Sequence, residues 1–143
     1  MDVKRLEMLF MSRLYRANPL ANLQEALQNN HKEVLDINRE QLEQGEDSSG
    51  KDMGFYSPMY AEYKGKSSPI DLKNTGDYHE AMYLVIDKVG TDVRDRDYKD
   101  QRLKAYVKKK TGGDPLGINP KNKGKMSDVV RPEFTKLFRK DVL

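Results

Sequence analysis

The feature that most restricts this chain's fold is how thin its apolar stripes are. Between positions 20 and 44, Leu20, Leu23, Leu27, Val34 and Ile37 fall on one side of a helix, with Asn30 inside the stripe and Leu42 near its end. Most of the intervening residues are Gln, Asn, Glu, Lys, Arg or Asp. A helix from about Asn22 to Gln44 would be roughly 35 Å long. A narrow stripe on a long polar helix suits contact with another helix more than a deep core. Leu23, Leu27, Val34 and Ile37 are therefore candidates for a subunit interface, although the same stripe also fits an ordinary surface helix.

The composition agrees with sparse burial. Of 143 residues, 36% are hydrophobic and 34% charged, and Trp is absent. This length fits one domain, which buries roughly two-thirds of its unfolded surface. A thin core gains from partners, because anything that binds only the folded state stabilises it by mass action.

The rest of the chain predicts an α+β fold with N-terminal helices, a small antiparallel β-hairpin in the middle and C-terminal helices. Val3, Leu6, Phe10 and Leu14 recur at helical spacing over 2–16, and Asn18-Pro19 ends that helix. Gly45 is a C-cap candidate, and GEDSSGKDMG (45–54) is rich in turn formers. The expected organisation is a helical arm (1–46), a hinge loop (47–54) and an α+β core (55–143). Ser57-Pro58 can start a short helix reaching Lys64, with Phe55, Tyr56, Tyr60 and Tyr63 as anchoring aromatics. Residues 82–87 alternate as a strand does, and 91–94 form a shorter return strand. Asp97 is the expected cap of a helix over 97–110, with Leu103, Tyr106 and Val107 on its apolar face. Ser127 is the expected cap of a last helix reaching Lys140, Pro132 falling near its first turn and Val129, Val130, Phe134, Leu137 and Phe138 on its buried side.

Little in the sequence points to catalysis. With no cysteine, disulfides, thiolate nucleophiles and zinc–thiolate sites are excluded. His31 and His79 lie apart, with no second ligand at metal spacing. Asp92, Asp95, Asp97 and Asp100 cluster, but they lack the glycine and closing glutamate of a calcium loop. Arg94, Arg96 and Lys99 interleave with them, as expected of a solvated, self-compensated segment. There is no phosphate-cradling glycine loop and no nucleophile elbow. No enzymatic activity and no cofactor are expected. No run reaches the ~18 apolar residues of a membrane span, so no membrane partner is expected. The charged N-terminus does not read as a signal peptide.

The net charge of +3 conceals an asymmetry. Residues 98–143 hold 13 Lys/Arg against 5 Asp/Glu, a net of +8, while residues 1–97 hold 13 against 18, a net of −5. Head-to-tail attraction between identical subunits is one reading. Non-specific DNA contact is the other, through Lys104, Lys108, Lys109, Lys110, Lys121, Lys123 and Lys125. That set is nearly all Lys without interleaved aromatics, so any such binding would ignore sequence.

Five segments occur in a suggestive order: QLEQGEDSSGK, YSPMYAEYK, DLKNTGDYHEAMYL, DRDYKDQRLKAY and DPLGINP, all within 41–120. This order resembles small virion proteins of tailed phages that infect Bacteroidetes, crAss-like phages among them. The L-x-x-T-G-D-aromatic element also resembles phage head–tail connector and tail-completion families. One departure is Lys110-Thr111-Gly112-Gly113, where an aromatic-Gly pair is usual. The physical content of the element is a turn: Leu72 plugs the core, Thr75 and Gly76 turn the chain, Asp77 caps the next turn and Tyr78 packs back. The resemblance implies a virion structural protein, made in the bacterial host cytoplasm. It would form a homo-oligomeric ring as a connector, neck or tail subunit, with the portal and other head–tail or tail proteins as partners. The alternative is a basic DNA-binding or packaging accessory protein.

Overall fold

Side-chain caps and left-handed glycines mark several of the helix ends in the computed structural model. It describes residues 2–65, 69–73, 76–87 and 90–143. Helix α1 is Val3–Arg16 and ends at Ala17, whose backbone is extended. Asn18 then caps α2, Pro19–Asn29, its side chain accepting from the Ala21 amide at 3.1 Å, with Pro19 preorganised in the first turn.

The single long helix expected over 22–44 is instead two. Asn30 (φ −113°, ψ 24°) separates α2 from α3, His31–Glu43. Its side-chain amide and backbone N–H both donate to the Ala26 carbonyl, at 2.8 and 3.1 Å. An Asn side chain that competes for local backbone partners favours a helix end over a helix interior. Helix α3 closes on Gly45 (φ +80°), where the Glu46 amide bonds back to Gln41 and the Gly45 amide to Leu42. Such a closure needs a left-handed residue, which glycine supplies without strain.

The segment expected to be a hinge is packed in place. Asp47 and Met53 are 0% and 2% exposed. The Asp47 carboxylate accepts from the Ser49 and Lys51 amides, both at 2.9 Å, and from the Ser49 hydroxyl. Lys51 Nζ donates to the Thr111 carbonyl and the Ser48 amide to the Asp114 carbonyl, tying the loop to a distant stretch. Polar loop residues that satisfy one another's donors do not make a mobile joint.

Beyond it come α4 (Pro58–Lys64), capped by Ser57, and the one-turn α5 (Asp77–Glu80). Strands β1 (Met82–Ile86) and β2 (Thr91–Asp95) pair antiparallel, with Leu84 opposite Val93. Helix α6 is Asp100–Thr111. It starts three residues later than expected, because the Asp97 carboxylate bonds the Lys99 amide and so shapes the turn before the helix. A 3-10 turn, Pro120–Asn122, capped by Asn119, leads straight into α7, Lys123–Val142. That entry moves the start four residues upstream of Ser127 and leaves Pro132 inside the helix, where its missing N–H deprives the Asp128 carbonyl of a helical partner. The described residues thus form seven α-helices around a two-stranded sheet, an α+β fold.

Two apolar clusters form the core. One joins Leu35 and Leu42 of α3 to Met53, Ile70, Leu72, Tyr78, Met82, Val93, Val107 and Leu116. The other joins Ala26, Leu27 and Val34 to Val130 of α7. Leu84 packs against both. The interface assignment for Leu27, Val34 and Ile37 is thereby corrected: all three are buried inside their own chain, and only Leu23 remains exposed. Of the expected arm, all three helices pack on α7, but only α2 and α3 add residues to the buried clusters.

Candidate assembly surfaces

Helix α1 buries none of its residues. Its stripe loses exposure toward the C-terminal end: Val3 is 77% exposed, Leu6 58%, Phe10 50%, and Leu14 is half-buried. Contact is mainly with α7, and Arg13 Nη1 donates to the Leu143 carbonyl at 3.2 Å. Met8, Met11 and Tyr15 are exposed beside the stripe. An amphipathic helix held at one end, its apolar face in water, leaves a contiguous patch that monomers seldom tolerate. The total surface is also larger than usual for a chain of this mass. A folded monomer of this chain's 16.5 kDa exposes about 7,600 Å², whereas this chain exposes 9865 Å².

The second surface is a groove of about 640 Å³ between α4, residues 72 and 76–78, and α6. Phe55, Tyr56, Tyr60, Leu72, Leu103 and Tyr106 supply its apolar lining, and Asp77, Asp97, Lys99 and Lys110 its charge. Tyrosines at positions 56, 60 and 63 follow one another with tilted rings, their centroids 4.8 and 5.9 Å apart. Lys110 lies over the Tyr106 ring at 5.7 Å.

A buried polar network holds this wall. Lys64 Nζ reaches the Asp71 carboxylate at 2.7 Å, both side chains nearly inaccessible. Tyr56 donates to Asp71 at 3.1 Å and accepts from the Leu72 amide at 3.0 Å. Burial pushes the Asp71 carboxyl upward, but the hydrogen bonds from Lys64, the Lys73 amide and Tyr56 outweigh it and hold the group below its usual range. Burial and the Asp71 charge raise the Tyr56 phenol.

The turn motif keeps its packing residues in place but not its expected cap: Gly76, not Asp77, stands at the N-cap of α5, and Asp77 is that helix's first residue. Leu72 is buried and takes a left-handed backbone (φ 55°), a conformation rare for a bulky residue. Gly76 (φ 90°) sits before α5, Asp77 is exposed at the groove, and buried Tyr78 donates to Asp100 at 3.1 Å. Burial and the Asp100 charge raise the Tyr78 phenol. Thr75 lies outside the described residues.

The other sequence candidates separate. His79 is buried, with Nε2 2.7 Å from the Asp71 carbonyl, and burial lowers its pKa. Asp92 pairs with Arg94 on the surface, but Asp95 and Asp100 depart from the solvated reading. Asp100 is buried and pairs with Lys104 at 3.1 Å. Burial, with the Asp100 and Asp97 charges, raises the Asp95 carboxyl to about 6. Of the lysine set, Lys104 and Lys121 are held by Asp100 and Glu46. Lys110 stands at the groove, and Lys125 shares a shallow hollow with Glu33, Asp36 and Glu40. Lys108, Lys109 and Lys123 are exposed. Among the described residues no group of acidic or histidine side chains is arranged to hold a metal, and no helix is long and apolar enough to cross a membrane.

The sequence placed the groove's aromatics but not the groove. The repeat of Tyr at 56, 60 and 63 was the visible signal, and nothing local shows that α6 closes the other side. No family model matches the chain, and neither a curated protein nor a solved structure matches it.

Proposed function

We propose that this chain is a structural subunit of a tailed-phage virion, assembling into a homo-oligomeric ring at the head–tail junction as a connector, neck or tail component. The observation that carries the assembly reading is the uncovered stripe of α1, which burial in a neighbouring subunit would remove from water at about 25 cal/mol per Å². The phage assignment rests on the motif order within 41–120. The proposal gives the chain a load-carrying and positioning role without catalysis, and places it beside the portal and tail proteins in the virion. Light scattering of the purified protein and protein identification in purified particles test it. A discrete oligomer that is also a particle component is expected; a protein that stays monomeric at high concentration and is missing from particles overturns it.

Exposed Lys108, Lys109 and Lys123 favour one alternative, a DNA-packaging accessory that binds phosphates without regard to sequence. Duplex DNA retention across a salt series separates the two. Tight binding that falls steeply with salt supports the alternative, and no retention at low salt removes it.

A further inference from the structure

A cavity of about 490 Å³ between α3 and β1 has a charge that runs against its surroundings. Residues 1–97 carry a net of −5, yet Lys32, Arg39 and Arg96 line this cavity with Asp36 as its one carboxylate, a net of +2. Asp36 is already engaged, accepting from Arg39 Nη1 at 2.8 Å. Arg39 Nε donates to the His79 carbonyl at 2.7 Å. A guanidinium has five N–H donors, so these two bonds fix its plane and leave three for a ligand. The Arg96 guanidinium lies over the Tyr83 ring at 4.5 Å, which holds the second fork. Lys32 and Arg96 are exposed, and among the described residues neither is in an ion pair. Two held guanidinium groups and an ammonium thus meet from α3 and the residue after β2, as a preorganised anion site requires. The lining also has an apolar part: Leu35 and Met82 are buried and Leu84 is half-buried.

We infer that this cavity binds a ring-bearing phosphate monoester, the 5′-phosphate of a nucleotide, with the phosphate on Lys32, Arg39 and Arg96 and the ring on the apolar lining. The inference goes beyond the virion reading and does not rest on it. Charge favours phosphate over carboxylate. A carboxylate brings a single charge and leaves the site with a surplus, whereas a phosphate monoester brings about −1.5 to −2 at pH 7 and three acceptor oxygens, which match a net of +2 and three cationic side chains. A phosphodiester backbone, with one charge per phosphate, fits less well. The volume lies within the roughly 300–1,000 Å³ of small-ligand sites. A nucleotide in solution and the phosphorylated 5′ end of a nucleic-acid strand present this same group.

Calorimetric titration of the full chain with adenosine 5′-monophosphate, inorganic phosphate and adenosine tests the site. The monophosphate should bind about tenfold tighter than either of its parts. Arg96→Gln and Lys32→Gln, both at exposed positions, should each weaken that binding about tenfold, with circular dichroism unchanged. Lys123→Gln, on α7 and outside the cavity, should leave it as it was. No binding of the monophosphate overturns the inference. So does binding that both cavity variants leave intact, or that Lys123→Gln weakens equally. Single-stranded oligonucleotides with and without a 5′-phosphate then identify the source. Binding of the phosphorylated strand alone, tighter than the mononucleotide, assigns the strand end. A mononucleotide that binds while neither strand does assigns the nucleotide in solution. Equal binding of the two strands places the contact on the backbone and overturns the monoester assignment.

Discussion

Single residues set how this small core responds to pH and to substitution. Lys64 and Asp71 pair at 2.7 Å in a nearly inaccessible place. Removing one partner leaves the other charge buried, so Lys64→Met should cost about 3 kcal/mol in urea unfolding. Asp71 titrates below its usual value when folded, so its contribution is full above the ordinary carboxylate range and fades as pH falls through the lowered folded value. Asp95 has the opposite sign. Its folded pKa is raised from 3.8 to about 6, so the native state holds a proton that the unfolded chain has lost, and stability falls as pH rises through that window. Asp95→Asn should flatten this decline and leave the protein more stable than wild type at neutral pH, as thermal melts across a pH series would show. Gly113 makes a geometric counterpart. A Cβ there would overlap the buried Asp47 carboxylate, whereas one at Gly124 meets nothing. Gly113→Ala should therefore destabilise by about 1–3 kcal/mol, and Gly124→Ala should stabilise by a few tenths, up to about 0.5 kcal/mol.

Among the elements, α1 and α3 show what periodicity carries and what it omits. Both have a thin apolar stripe at helical spacing, and the sequence offers no reason to treat them differently. In the structure Val34 of α3 is fully buried against α7, while Val3, Leu6 and Phe10 of α1 face water. Spacing reports which residues share a face; only tertiary packing decides what that face meets. Val34→Ala should cost about 2 kcal/mol of stability. The double change Leu6→Asp and Phe10→Asp should shift unfolding by under about 0.5 kcal/mol yet abolish the oligomer in light scattering. The hairpin, α4 and α6 were legible because alternation, a Ser-Pro start and a Gly-Gly stop are local signals. The break at Asn30 and the packing of 47–54 were not. Both depend on where a short polar side chain finds its partner, Ala26 in one case and the amides of Ser49 and Lys51 in the other. The aromatic groove was half legible, its tyrosines being visible in sequence and its far wall arriving from a helix some forty residues downstream.

At the scale of the whole molecule, the proposed assembly would divide its work between charge and apolar surface. The opposite segment charges would attract over roughly a Debye length, about 10 Å at 0.1 M salt, and so govern encounter more than final affinity. Raising salt should slow oligomer formation in stopped-flow scattering while leaving the final oligomer mass unchanged, since apolar burial is not screened. A final mass that collapses with salt would place the contact on charge alone. The uncovered stripe of α1 has one more consequence for the proposed ring. A contact between that stripe and a different part of the next subunit would have a direction, as a zip does. An incomplete assembly would then end in an empty receptor on one side and a bare helix on the other, and the two termini could not be capped by the same molecule. A neighbouring component that offers only a helix, or only a receptor, would therefore decide from which side growth starts and where it stops.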